Sequence, residues 1–314
     1  MSSKTHLRLG TRGSPLALAQ AHEVRGRLAE AHPELAAEGA VEIVVIKTSG
    51  DRIQDRTLAE IGGKGLFTKE IEEALLQGTI DLAVHSMKDV PTWLPEGLAI
   101  TAVLPREDPR DAFFSNRGAS LADLPAGAVV GTASLRRQAQ VLMARPDLEV
   151  VPLRGNVGTR LRKLAEGEAD ATLLAMAGLK RLGEAGRVTA PLEPEEMLPA
   201  VAQGAIGLEA RAGDERTGTW LAALDHRDTA TRVTAERACL EVLDGSCRTP
   251  IAALAELKGA ELRLRALVAM PDGSQAHRAE RRGPAADAEA LGRDAGAELR
   301  AAAGPAFFAA LAGH

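Results

Sequence analysis

The sequence predicts an α/β protein of two lobes facing a common cleft, followed by a small α+β domain with an antiparallel sheet. Three observations carry that expectation. Apolar, strand-like runs alternate with helix-like periodicity through the first hundred residues and again from Val129 to Ala175, the pattern of mostly parallel sheets with helices on both faces. Proline-bearing breaks at Pro105–Arg110 and around Pro191–Pro199 separate the alternating sets. The last ninety residues change style, to a helix, paired strands and an alanine-rich helix. A chain of 314 residues has room for two or three such domains.

Leu7–Gly10 is a short apolar strand, and Ser14–Ala31 a helix with Ser14 as N-cap and Pro15 at its first position. Val41–Lys47 (VEIVVIK) is rich in β-branched residues and reads as the next strand. The polar, glycine-bearing stretch Gly50–Gly65 is too long for a tight connection and reads as a flap. Thr68–Gln77 is an amphipathic helix, and Ile80–Val84 a strand cut off by Lys88, Asp89 and Pro91. In the second set the strands are Val129–Gly131, Leu148–Leu153 and Ala171–Ala175, and the helices Ser134–Ala144 and Thr159–Glu166. Val201–Ala210 (VAQGAIGLEA) has no helical partner and is expected to return to the first sheet as a strand. The implied domains are 1–104 with 201–224, then 105–200, then 225–314. In the last of these, Ala235, Ala238, Cys239, Val242 and Leu243 stripe one face of a helix over Ala230–Leu243. Glu261–Ala269 alternates as a half-buried strand, Pro271-Asp272-Gly273 turns, Gln275–Arg281 returns, and Ala285–Ala303 closes as a helix.

Composition narrows the function. A net charge of −5 argues against a general polyanion binder, and 2% aromatic residues without tyrosine leave few platforms for base stacking. Residues 1–30 hold no apolar signal core, and no apolar run approaches spanning length, so a cytoplasmic protein without membrane partners is expected. The two cysteines and seven histidines fall in no metal-ligand spacing. No long amphipathic seam argues for more than a monomer.

The chemistry concentrates at Asp81–Pro91 (DLAVHSMKDVP). Ligands of open α/β sheets bind at the carboxyl ends of strands, which sets Lys88 and Asp89 at the lip of a cleft. The bland alternative is a solvated ion pair of small energy. Three helix starts share an oddity: Arg12 beside Ser14, Arg136 and Arg137 after Ser134, and Arg160 after the run Arg154-Gly155-Asn156. A helix N-terminus is electropositive and disfavours cations by about 0.3–1 kcal/mol each. Guanidinium forks and free N–H groups converging on an anion explain three such cases better than side chains turned to water. Lys64, Lys88, Lys180 and Arg181 extend that positive surface, which suits a substrate with several carboxylates or phosphates. Cys239 belongs to an apolar helix face, whereas Cys247 sits in the loop Asp244-Gly245-Ser246, as an accessible thiol or an incidental one. His85 is equally a hydrogen-bonded strand-end residue or a participant.

Taken together, LGTRGSPLALAQ (9–20), DLAVHSMKDVP (81–91), PREDPRDAF (105–113), VVGTASLRRQAQ (129–140), LRGNVGTRLRKL (153–164), LPAVAQGAIGLE (198–209) and ERACLEVLDGSCRTPI (236–251) make the chain closely resemble the porphobilinogen deaminases, or hydroxymethylbilane synthases. The departures are Ala19 for tryptophan, Ala169 for tyrosine, Ala202 and Ala252 for glycine, and Cys239 for phenylalanine, none at a charged position. The resemblance implies two doubly wound lobes in a type II periplasmic-binding-protein arrangement. It also implies a transferase that joins four porphobilinogen units head to tail, releases ammonia at each step, and hydrolyses off hydroxymethylbilane. The cofactor would be dipyrromethane, held by a thioether at Cys247, with Asp89 as the catalytic carboxylate. Substrate and cofactor contacts would fall on Arg12, Ser14, Lys64, Lys88, Thr132, Ser134, Arg136, Arg137, Arg154, Arg160, Arg181 and Gln203. A noncatalytic two-lobed anion binder is the competing reading. An export signal would favour it; Asp89 and Cys247 weigh against it.

Overall fold

The structure, a computed structural model, describes residues 6–52, 65–244 and 249–312. These divide into two compact units, one drawn from 6–52, 65–107 and 205–230, the other from 108–204, 231–244 and 249–312.

In the first unit, β1 (Leu7–Thr11) leads into α1 (Pro15–Ala31), which Ser14 caps by accepting from the Ala17 N–H at 3.3 Å. β2 (Val41–Val45), the short α2 (Ser49–Arg52), α3 (Lys69–Leu76), β3 (Leu82–Ser86) and β4 (Leu98–Val103) follow, and β10 (Ile206–Arg211) and α7 (Glu215–Ala222) complete the unit. The sheet order is β2-β1-β3-β10-β4, with β2, β1 and β3 parallel and β10 antiparallel to both its neighbours. Because side chains alternate across a strand, each strand feeds two cores. Leu7, Leu9, Leu82 and Val84 pack with Val24 and Leu28 of α1 and Leu221 of α7. Ala83 packs on the other side with Ile71 and Leu75 of α3.

The second unit repeats this plan. β5 (Asp111–Ser115), β6 (Val129–Gly131), α4 (Leu135–Ala144), β7 (Glu149–Val151), α5 (Val157–Ala165), β8 (Ala171–Ala175), α6 (Met176–Arg181) and β9 (Ala190–Leu192) form a sheet ordered β7-β6-β8-β5-β9. Here β7, β6 and β8 are parallel, and β5 is antiparallel to β8 and β9. Phe113, Val130 and Leu173 pack against Val141 of α4, while Phe114 and Leu174 pack against Leu161 and Leu164 of α5. The helix α8 (Arg227–Val242) carries the chain from the first unit into the second. There β11 (Ile251–Lys258), β12 (Glu261–Ala269) and β13 (Ala276–Pro284) form an antiparallel sheet, and α9 (Ala288–Ala312) closes the chain. α9 lies close on α8: a Cβ at Gly292 would run into the Ala235 carbonyl oxygen, and one at Gly296 would lie 2.8 Å from that of Cys239. Among the described residues, no helix is long and apolar enough to cross a membrane.

Several expectations shift. Each mostly parallel sheet takes in one antiparallel strand. The return strand is Ile206–Arg211, with residues 201–204 forming a turn ahead of it. The break at 105–110 runs straight into β5, and β9 carries Pro191 on a sheet edge, where a missing donor is tolerated. β11 (IAALAELK) has helix-like composition but pairs along its whole length with β12. α5 starts at Val157 because the Asn156 side chain accepts from the Thr159 N–H at 2.9 Å and caps it. The closing helix extends to Ala312, with a break at Gly304 (φ 74°) before Pro305.

Candidate active site at the sheet switch points

In an open α/β sheet the strand order reverses where the chain starts outward in the other direction, and the strand ends diverge there to leave a crevice. In the first lobe that point lies between β1 and β3. Their parallel register (Leu9 with Leu82, Gly10 with Ala83) brings the residues after Thr11 and those after Ser86 to one edge. Arg12 and Ser14 follow β1, and Lys88 and Asp89 lie in the 3₁₀ turn Met87–Asp89 that ends β3. Met87 seats this turn. Its side chain is buried, its N–H donates to the Ala205 carbonyl at 3.0 Å, and a Cβ at Gly207 would overlap its sulfur. Asp89 is half-buried, and among the described residues its carboxylate makes no hydrogen bond or ion pair.

Two other ionisable groups near this edge, Arg12 and His85, have partners. Arg12 forks onto Asp51, with Nε 3.2 Å from Oδ1, and its guanidinium lies 4.1 Å above the Phe67 ring centre. Burial works to raise the Asp51 carboxyl, but hydrogen bonds from Arg12 and Thr48 outweigh it and hold the group below the ordinary carboxylate range. His85 Nε2 lies 2.8 Å from Glu209 Oε2 in a pair that is almost wholly buried, which makes His85 the hydrogen-bonded strand residue.

In the second lobe the switch point lies between β6 and β8. Thr132 follows β6; its hydroxyl accepts from the Ser134 N–H at 3.2 Å, and Ser134 in turn caps α4 through the Arg137 N–H at 3.5 Å. Arg136 and Arg137 turn inward to Asp111 of β5. Arg136 Nη1 is 2.7 Å from Oδ2, and Arg137 Nη2 donates to Oδ1 at 2.8 Å. Gln203 Nε2 also donates to Oδ1, at 2.9 Å, and to the Pro109 carbonyl at 2.8 Å. Arg136 and Arg137 further bind the carbonyls of Leu198 and Leu173. Complete burial would raise the Asp111 carboxyl, but the two guanidinium charges overcome it and hold it well below the ordinary range.

The cations at this helix start therefore meet a carboxylate from inside the protein, which the sequence reading assigned only to a ligand. Asp111 was overlooked, although a lone aspartate opening the buried run Ala112-Phe113-Phe114 was a signal. Arg154 follows β7, is half-buried, and has a buried Nη1 without a hydrogen-bond partner among the described residues. Arg160 folds back to the Gly155 carbonyl at 2.9 Å, and Arg181, at the end of α6, reaches that of Gly204 at 3.2 Å. The register of β6 and β7 (Gly131 with Val151) brings Thr132–Arg137 and Arg154 out at the same edge. Lys64, most of the stretch Gly50–Gly65, and Cys247 lie outside the described residues.

Among the described residues, each lobe thus brings sequence-predicted residues to a switch point, with Asp89 without a partner there in one and guanidinium groups gathered in the other. The Nε atoms of Arg136 and Arg137 and the Nη1 of Arg154 are buried donors without hydrogen-bond partners among the described residues. A group bearing several carboxylates, as dipyrromethane does, fits that donor set.

Comparison with known proteins agrees. Residues 7–219 match the family model described as "Porphobilinogen deaminase, dipyromethane cofactor binding domain", and residues 230–301 the one described as "Porphobilinogen deaminase, C-terminal domain". The chain is 63% identical to the porphobilinogen deaminase of Paracoccus denitrificans over 96% of each chain. It is 60% identical to the chloroplastic porphobilinogen deaminase of Oryza sativa, over 97% of this chain and 86% of that one. Among solved structures it is similar to a periplasmic substrate-binding protein from Coxiella burnetii, with 15% identity, a TM-score of 0.43, and coverage of 69% of this chain and 91% of that one. On the family models and the full-length identities, the chain belongs to the porphobilinogen deaminase family.

Proposed function

We propose that the protein is a transferase that condenses four porphobilinogen units head to tail, releasing ammonia at each step, and then hydrolyses off the linear tetrapyrrole hydroxymethylbilane. Asp89 is its catalytic carboxylate, and Cys247 the point at which dipyrromethane is held. The half-buried Asp89 carboxylate at the switch point of the first lobe, without a hydrogen bond or ion pair among the described residues, carries this reading.

When bound, dipyrromethane supplies a tethered pyrrole as the acceptor for incoming substrate. Loss of ammonia from porphobilinogen leaves positive charge on the ring nitrogen. The Asp89 carboxylate, without a partner among the described residues, accepts a hydrogen bond from that N–H and stabilises the charge as it develops. Arg12, Arg136, Arg137, Arg154, Arg160 and Arg181 receive the acetate and propionate groups of the rings. Ser14, Thr132, Ser134 and Gln203 fix the loops that carry those arginines, and Lys64 and Lys88 add positive charge. The proposal includes a monomer in the cytoplasm, which light scattering and cell fractionation test.

The deciding measurement is the intact mass of protein purified from cells that make tetrapyrroles, taken with ammonia release on adding porphobilinogen. Wild type carries an adduct of dipyrromethane size and releases ammonia, and Cys247→Ala does neither. An unmodified wild-type mass, or saturable binding heat without ammonia, would leave a noncatalytic anion binder.

A further inference from the structure

Asp111 lies at the centre of a polar cluster built wholly inside the second unit. Asp111, Gln203, Arg137 and Arg136 are 0%, 1%, 4% and 6% exposed. Its two oxygens engage both guanidinium groups and the Gln203 amide, so one carboxylate fixes the direction of two forks. Yet the charges do not balance. Among the described residues Asp111 is the one acid within ion-pair distance of either arginine, so two buried positive charges share one negative. Both Nε atoms stay buried without an acceptor among the described residues. Buried charges are costly unless paired, and an unfilled donor is itself a cost, so the cluster is short of one anion.

Resting on the reading of the protein as a porphobilinogen deaminase, we infer that Asp111 is a positioning residue: it aims Arg136 and Arg137 and leaves the pair one charge short of balance, so that the site takes one further carboxylate, from substrate or cofactor. Asp111 acts through the arginines and touches no reacting atom.

The test compares Asp111→Asn, which keeps the size and one acceptor but loses the charge, with Asp111→Glu, which restores the charge on a longer arm. Each is expressed as the full-length protein in cells that make tetrapyrroles. If Asp111 aims the arginines at a substrate carboxylate, KM for porphobilinogen rises about tenfold or more in Asp111→Asn while kcat stays within about threefold. If it aims them at a cofactor carboxylate, the adduct occupancy read by intact mass falls about tenfold or more, and in either case Asp111→Glu recovers part of the loss. A folded Asp111→Asn with wild-type KM and full adduct occupancy, a fall in kcat with both unchanged, or no recovery in Asp111→Glu overturns the inference. Should only Asp111→Glu fold, a raised KM or lowered occupancy supports the inference, and wild-type values of both overturn it. If neither folds, Asp111 is a fold determinant and the inference is lost. Wild type run alongside separates the two claims: failure there to carry the adduct or release ammonia counts against the enzyme assignment, not against Asp111.

Discussion

The two lobes lay down their sheets on one plan, β2-β1-β3-β10-β4 and β7-β6-β8-β5-β9, each with four strands running one way and one antiparallel strand where the chain crosses over. Their switch points nevertheless carry different charge arrangements. In the first lobe Arg12 is matched by Asp51, and a second carboxylate, Asp89, is left without a partner among the described residues. In the second lobe two guanidinium groups share Asp111, and Arg154 adds a buried donor without a hydrogen-bond partner among the described residues. Among the described residues at these switch points, the first lobe leaves a carboxylate without a partner and the second has more guanidinium groups than carboxylates. In the proposed function, identical topology serves two jobs, charge stabilisation at the reacting ring and retention of carboxylates, and the division is made by the few residues that follow each strand.

The sharpest test of that division is Asp89→Asn. If the first lobe supplies the chemistry, kcat falls by about 10²–10⁴ while the thermal midpoint and the dipyrromethane adduct persist. A turnover near wild type in a folded variant would remove the distinction between the lobes. Arg154→Leu probes the other side: KM should rise about tenfold or more, and adduct occupancy fall, because a charge-assisted hydrogen bond is worth about 1.5–3 kcal/mol. A loss confined to kcat would mean that the second lobe takes part in the chemistry as well.

How much of this was legible in the sequence follows from what each signal depends on. Helix caps are local, so Ser14 and Ser134 announced α1 and α4 before any tertiary contact was known. Arginines in a first turn conflict with the helix dipole, and that conflict pointed to an anion. It did not say whose anion, because the Asp111 partnership joins residues 25 and 26 positions apart. Strands β5 and β9 went unread because proline and charge next to them are ordinary break signals, and only the sheet shows that a crossing strand begins there and that the other lies on an edge. β11 was missed because alanine and leucine carry helix propensity that a strand partner overrides.

Acid response separates the lobes further, with a smaller effect. Burial and the neighbouring Glu209 charge hold the Glu72 carboxyl above its ordinary value, on the face of the first sheet that also carries His85. A raised acid in the folded state binds protons more readily than in the unfolded chain. Its stabilisation is therefore complete below the unfolded value and is lost as pH rises through the folded one. Asp111 has the opposite sign: it stabilises above the unfolded value, and that contribution is lost only as pH falls through its depressed folded value. Going from neutral pH towards about 5, Glu72 should therefore add stability while Asp111 is unaffected. Chemical denaturation of wild type and Glu72→Gln at both pH values checks this. The variant should be the more stable at neutral pH and lose part of the wild-type pH dependence, and parallel curves would contradict the assignment.

The smallest effect concerns how the chain approaches each crossing strand. β5 is reached through Pro109 and Arg110 without any left-handed residue, whereas β10 is reached through Ala202 at φ 57° and Gly204 at φ 91°. Ala202 is fully buried, and its N–H donates to Glu236 Oε2 at 2.6 Å, so the left-handed conformation is held by a hydrogen bond that the residue cannot leave without exposing a buried acceptor. An L-residue with a Cβ is disfavoured there by roughly 1–2 kcal/mol, which glycine avoids. Part of that gain is offset because glycine gives the unfolded chain more freedom, so Ala202→Gly should stabilise the protein by about 0.5–1 kcal/mol. Ala252 is the control, since it also stands where the family usually has glycine but lies inside β11, paired with Leu267 and fully buried. There a glycine relieves no strain and removes a packed methyl group, so Ala252→Gly should destabilise by about 1 kcal/mol. Urea denaturation of the two variants gives shifts of opposite sign if backbone strain at residue 202 is what sets the approach to β10 apart from that to β5, and shifts of the same sign if the alanines are interchangeable.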